Sequence, residues 1–179
     1  MKSVFRLLPF LFLLGLSAYL PGVRAETCRA NIGQTTVNIP NIKYLPTLPV
    51  NTQMTSAMAD NGSGIPFSCD LQLPTPTDVR IGFFGVSVES DTLALSQASN
   101  SASGVGVKLT YGNNPGAAVP DGTSVKINEA SNLPILKRVT GASAGTAEAI
   151  NFNAQYVQTD ATVGAGTANS MVTFALEYN

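Results

Sequence analysis

The chain has 179 residues, with 10 Lys and Arg against 11 Asp and Glu, and no histidine. A near-balanced charge without Lys/Arg clusters excludes nucleic acid and anionic membrane surfaces as partners. The absence of histidine removes the usual base of a Ser-His-Asp or Cys-His site and the commonest zinc ligand, so enzyme and metal functions lose most of their parts together.

Residues 1–25 have the layout of a signal peptide: Lys2 and Arg6 in a basic lead, an apolar run from Leu7 to Leu20, and small residues at Val23 and Ala25 before the expected cut. Pro9, Gly15 and Pro21 interrupt that run, whereas a spanning helix needs about 20 continuous apolar residues. The expectation is an exported protein whose mature chain, residues 26–179, forms a single domain. Lys2, Arg6 and Arg24 would leave with the signal, making the mature chain net acidic. Cys28 and Cys69 are the two cysteines of an exported chain and read as one disulfide. A redox or metal pair would need Cys-x-x-Cys spacing or further ligands.

In chain order, Thr36-Val37-Asn38-Ile39 is expected as a short strand closed by Pro40, and Asn41 to Gly64 as loop or irregular edge. Ile65 to Leu71 alternates Ile65, Phe67, Cys69 and Leu71 onto one face, which turns the second cysteine inward; Pro66 marks an edge or a strand start. Pro74-Thr75-Pro76 turns the chain into Val79 to Val88, the most apolar strand after the signal, with Gly82 and Gly85 suggesting a bulge or a close backbone approach. Ser96 to Gly104 is expected as a surface loop. Val105, Val107, Leu109 and Tyr111 alternate in the next strand, and Gly112 to Gly116 supplies a turn. A short strand at Ser124 to Ile127 leads into the less readable stretch Asn128 to Gly145. Ile150, Phe152, Ala154 and Tyr156 alternate again, and Val163-Gly164-Ala165-Gly166 reads as a turn. In the final strand, Val172, Phe174, Leu176 and Tyr178 share one face, and Thr173, Ala175, Glu177 and Asn179 share the other. About eight short strands separated by Gly, Pro and Asn signals, with no helical period, describe an all-β sandwich or barrel.

Remaining candidates for chemistry are weak. Glu89 and Asp91 stand two apart in a polar run, which describes a solvated strand end better than an acid–base pair. Asp60-Asn61-Gly62 lacks the other ligands of a calcium loop, and Gly104-Val105-Gly106 lacks the Gly-Lys-Ser of a phosphate loop. No cofactor is implied. What is left is an exposed strand edge, which proteins either cover or use for pairing with another chain.

Several features in order carry a family resemblance. They are Cys28; Phe67-Ser68-Cys69; Val79-Arg80-Ile81-Gly82-Phe83-Phe84-Gly85; Gly104 to Leu109; Phe152-Asn153-Ala154-Gln155-Tyr156; and Val163 to Gly166 before a terminal strand with Tyr178 in the penultimate place. Together they resemble a structural subunit of chaperone-usher fimbriae of the type 1 kind, the pilins of Gram-negative bacteria. The resemblance implies an immunoglobulin-like sandwich lacking its last strand and completed by a donor strand from another chain. It implies a periplasmic chaperone, an outer-membrane usher and a neighbouring subunit as partners, and a place on the cell surface after passage through the periplasm. Carried over by position, Val172, Phe174, Leu176 and Tyr178 would zip with the donor strand, and the Asn179 carboxylate would be gripped by basic residues of the chaperone. One departure stands out: the expected cut leaves only Glu26 and Thr27 before Cys28, and even residues 19–27, with Pro21 and Arg24, make no alternating apolar donor segment. The expectation is a minor or tip subunit that accepts a strand and gives none. The alternative is a single-domain adhesin or invasin that binds a host receptor through the loops 41–64 and 96–103.

Overall fold

A computed structural model describes residues 28–30, 39, 48–55, 58–59, 64–69, 76–140 and 145–179. Their regular structure is entirely β: β1 Cys28–Ala30, β2 Met58–Ala59, β3 Ile65–Cys69, β4 Thr77–Phe84, β5 Ser87–Glu89, β6 Thr92–Leu93, β7 Val105–Tyr111, β8 Lys137–Val139, β9 Ala147–Ile150, β10 Phe152–Gln158 and β11 Thr173–Tyr178. They form sheets ordered β1-β3-β9, β2-β10-β7-β6-β5 and β11-β4-β8. The first two sheets are joined because β9 and β10 are consecutive halves of one apolar run. The third packs across them, with the Phe83 ring meeting Phe152 edge-on at 5.9 Å. The described residues form an immunoglobulin-like sandwich that among them lacks a strand, and one continuous core fills it, from Ile65 and Phe67 through Ile81 and Phe83 to Leu109, Val125 and Leu136. Each such side chain, fully withdrawn from water, contributes about 1.5–3 kcal/mol.

The disulfide joins Cys28 to Cys69 across the β1–β3 ladder, where the two residues are direct partners, and both are buried. At a sequence separation of 41, the link limits the unfolded chain and stabilises the fold by about 2–4 kcal/mol. Ile65, Phe67 and Cys69 point inward as the alternation requires. Pro66 is the second residue of β3, a strand start where a missing N–H is tolerated.

Three apolar runs behave differently from expectation. The run Val79 to Val88 is two strands, β4 and β5, in different sheets. Between them the Asn128 side chain accepts from the Gly85 N–H at 3.1 Å and donates to the Gly85 carbonyl at 3.0 Å, so an amide takes the place of a ladder partner. Val86 and Val88 are consequently exposed, at 76% and 50%. The run Ile150 to Tyr156 breaks at Asn151, whose N–H donates to Asn114 Oδ1 at 2.7 Å and whose carbonyl accepts from Asn114 Nδ2 at 2.9 Å. That side-chain clasp lets the chain leave β3 and join β7. Ser124 to Ile127 makes only isolated bridges, to Thr110 and then to Phe83. It crosses from one layer to the other, and Val125 and Ile127 are buried at the seam.

The expected strand at Thr36 to Ile39 lies outside the described residues except for Ile39, which packs on the core. Of the expected loop 41–64, the described part includes the bridge Gln53 to Val157 and β2, both along the edge of β10. The remainder of that segment, with Asp60-Asn61-Gly62, lies outside the described residues.

Asp91 is tied into this frame by Lys108, Nζ to Oδ2 at 2.8 Å, and Glu89 is exposed at the strand end. Burial opposes ionisation of Asp91, but the Lys108 hydrogen bond and charge, with the Thr92 and Ser124 hydroxyls, outweigh it and hold the carboxyl below its ordinary value. A depressed carboxyl stabilises the fold above its unfolded value of about 3.9, and that contribution is lost as pH falls through the lower folded value. Asp91→Asn should therefore cost up to about 1 kcal/mol at neutral pH and shrink the difference between mutant and wild type in strong acid. Melting temperatures taken down the acid limb check this; parallel limbs would show that the pair contributes nothing.

Candidate functional site

The strand β11 carries Phe, Leu and Tyr at alternating positions with no glycine or proline, a composition suited to a pleated, half-buried surface. It pairs antiparallel with β4, placing Phe174 opposite Phe83, Leu176 opposite Ile81 and Tyr178 opposite Val79. The β4 partners are at most 1% exposed. Their β11 counterparts, together with Val172, are half-buried and rest on the same core. Thr173, Ala175, Glu177 and Asn179 face solvent. The inward row thus extends the core to the margin of the sheet, where it is only half covered.

The ladder determines where the backbone of β11 points. Asp78 and Asn179 exchange both main-chain hydrogen bonds, at 2.8 and 3.2 Å. In an antiparallel pair, residues that bond one neighbour alternate with residues whose N–H and C=O point the other way. Stepping back by two, Glu177, Ala175 and Thr173 bond β4. Phe174, Leu176 and Tyr178 therefore aim their main-chain groups at the opposite flank. Among the described strands none pairs there: β11 has β4 as its only ladder partner, and β1 approaches it without joining it. The same three residues combine inward apolar side chains with outward donors and acceptors. Such an edge can bind an extended chain through hydrogen bonds while its side-chain row and the adjoining core receive the chain's alternate residues.

The approach to β11 is fastened in several places. The expected turn Val163 to Gly166 instead docks on the loop 96–104, with Gly164 bridging Ser103 and Thr167 bridging Ser101. Gly104, at φ +69°, needs a residue without Cβ because a Cβ there would run into the Thr162 carbonyl. Asn169 accepts from the Ser96 N–H at 2.7 Å, Ser170 donates to the Ala94 carbonyl at 2.7 Å, and the Tyr156 hydroxyl donates to the Ala168 carbonyl. Burial keeps that hydroxyl's pKa raised, so it remains a donor. At the strand's start, a Cβ on Gly85 would lie 3.2 Å from the Met171 carbonyl and 3.1 Å from Leu93. Glycine there is what lets the two chains approach.

The structure brings Val172, Phe174, Leu176, Tyr178 and Asn179 together along one edge. Cys28 and Cys69 lie in another sheet and serve the fold. Of the candidate contact loops, Ser96 to Asn100 is exposed, while Ser101 and Ala102 are half-covered by the 164–167 segment. Sequence reasoning overlooked the polar side of the same edge. Arg80 Nη1 donates to Asn179 Oδ1 at 2.6 Å and lies 3.8 Å from Glu177 Oε1. Asp78 is gripped by Arg138, whose Nε and Nη2 donate at 2.7 and 3.1 Å. The Arg138 hydrogen bonds, despite slight burial, hold the Asp78 carboxyl below its usual range, helped by the Arg138 and Arg80 charges. The spacing of Asp78 and Arg80, two apart in a strand and so on one face, was the available signal.

The family model described as Fimbrial protein matches residues 15–179. Among solved structures, one titled "Structural determinants of polymerization reactivity of the P pilus adaptor subunit PapF" is similar over 86% of this chain and 95% of that one, at 13% identity and a TM-score of 0.44. No curated protein matches the chain.

Proposed function

We propose, on the premise that this chain belongs to the fimbrial protein family and is a structural subunit of a chaperone-usher fimbria, that the free flank of β11 is the acceptor edge for a strand supplied by another protein. One observation carries this: Phe174, Leu176 and Tyr178 unite half-buried inward side chains with main-chain groups directed away from β4. An edge of that kind left bare is an aggregation hazard. A periplasmic chaperone would cover it first and a neighbouring subunit's segment afterwards, with the outer-membrane usher as the place of exchange. Residues 1–25 would direct export and be removed, leaving 26–179 as the fimbrial domain on the cell surface. The role is structural, and the edge supplies pairing groups rather than catalytic ones.

Shortening the penultimate side chain tests the assignment. Tyr178→Ala removes the inward residue opposite Val79 and should weaken chaperone capture about tenfold, roughly 1.4 kcal/mol, with the disulfide still formed. Equal capture by the variant would remove Tyr178 from the interface. A minor or tip position is the finer part of the proposal. It is supported by residues 19–27, a short segment in which Pro21 has no N–H to give a strand ladder. Growth of polymers from the purified mature chain alone would rule it out.

A further inference from the structure

The solvent face of the sheet β11-β4-β8 carries a charged cluster centred on Arg80. For an outward residue its side chain is well covered, at 17% exposure. Its guanidinium meets three groups: Asn179 Oδ1 at 2.6 Å, Glu177 Oε1 at 3.8 Å and Asp78 Oδ2 at 3.9 Å. Asp78 is itself clamped by both Arg138 donors and pairs with Asn179 through the backbone. Asn179, at the end of β11, is thus held by two main-chain bonds and one charge-assisted side-chain bond, in a place where strand ends ordinarily fray. Arg80 itself faces away from the core and from the open flank, so it does not touch a strand laid beside β11. Its reach is to Asn179, whose neighbour Tyr178 carries the outward main-chain groups nearest the end.

We propose that Arg80 is a positioning residue for strand capture: braced by Asp78 and Arg138, it holds Asn179 in register on β4 so that Tyr178 is presented already ordered to the incoming strand. The inference rests on the acceptor-edge proposal above. Ordering a frayed strand end at the moment of binding would subtract from affinity, and a strand end ordered beforehand avoids that cost. Arginine suits the task because its planar fork addresses several acceptors at fixed angles, which a lysine ammonium cannot do.

The test uses the full mature chain and the periplasmic chaperone that co-purifies with it. Affinity is measured for wild type, Arg80→Ala, Arg80→Lys, Asn179→Ala and the Arg80→Ala/Asn179→Ala double variant, with amide exchange followed at Glu177 and Asn179, whose N–H groups bond β4. Each single alanine variant should weaken capture about five- to tenfold, and Arg80→Lys should restore only part. The double variant should be no weaker than the weaker single, because both remove one contact. Amide protection should fall at the strand's end and hold elsewhere. Val139→Ala, in β8 and buried away from the edge, should lower the melting temperature while leaving capture unchanged. Wild-type affinity in Arg80→Ala, additive losses in the double variant, or an equal loss of capture in Val139→Ala would each overturn the positioning role. If Phe174→Asp, on the inward row, captures chaperone as tightly as the wild type does, the acceptor edge fails as well, which separates the two outcomes.

Discussion

A chain lacking Met171–Asn179 should fail to accumulate in the periplasm and should not be captured by its chaperone. Removing β11 uncovers Val79, Ile81 and Phe83, which are at most 1% exposed, and discards the half-buried row Val172, Phe174, Leu176 and Tyr178. Half-burial of four such side chains is worth several kcal/mol at about 1.5–3 kcal/mol for each fully buried one. Domains of this size are stable by only about 5–15 kcal/mol. The truncated chain would also lose every main-chain group directed at the open flank. Periplasmic extracts probed for the subunit and for chaperone bound to it give the readout. A truncated chain that accumulates and still co-purifies with chaperone would place the interface elsewhere.

Because truncation can abolish folding as well as binding, the second expected result separates the two by strand parity. Phe174→Asp should reduce strand capture by at least about 100-fold, roughly 3 kcal/mol, the penalty of enclosing an unpaired charge. In the uncomplemented chain Phe174 is half-buried, so a carboxylate there can turn toward water and the fold should tolerate it. Once a donor strand closes the flank, that escape is lost. Ala175→Asp, one residue along and on the solvent face, should leave capture within about twofold, as surface changes away from a packed site generally do. Binding curves for the two variants beside melting curves decide the matter. Comparable losses in both would mean that β11 is recognised without reference to its inward row.

Much of this edge was legible in the sequence. The period-two pattern from Val172 to Tyr178 specifies which side chains turn inward, because a strand offers only two faces. The disulfide followed from two cysteines in an exported chain, with Cys69 on the inward row of its strand. Other parts were not legible, for a physical reason. Alternation reports which face is buried and is silent about which sheet buries it, so Val79 to Val88 and Ile150 to Tyr156 each read as one strand. In the fold, the side-chain amides of Asn128 and Asn114 stand in for ladder partners at Gly85 and Asn151, and redirect the chain from 43 and 37 residues away in sequence. The Gly-rich segment Val163 to Gly166 looked like a simple turn because its complement, Ser101 to Gly104, is distant in the chain.

By itself, then, the sequence determined the all-β class, the inward rows, the cysteine pair and the residues of the terminal strand, all of which depend on local periodicity and residue chemistry. The tertiary structure decided that β11 has a partner on one side only among the described strands, that its outward main-chain groups belong to Phe174, Leu176 and Tyr178, and that Arg80 holds its end. Those properties arise from pairing between segments far apart in the chain, where hydrogen-bond register rather than composition determines which groups are left free.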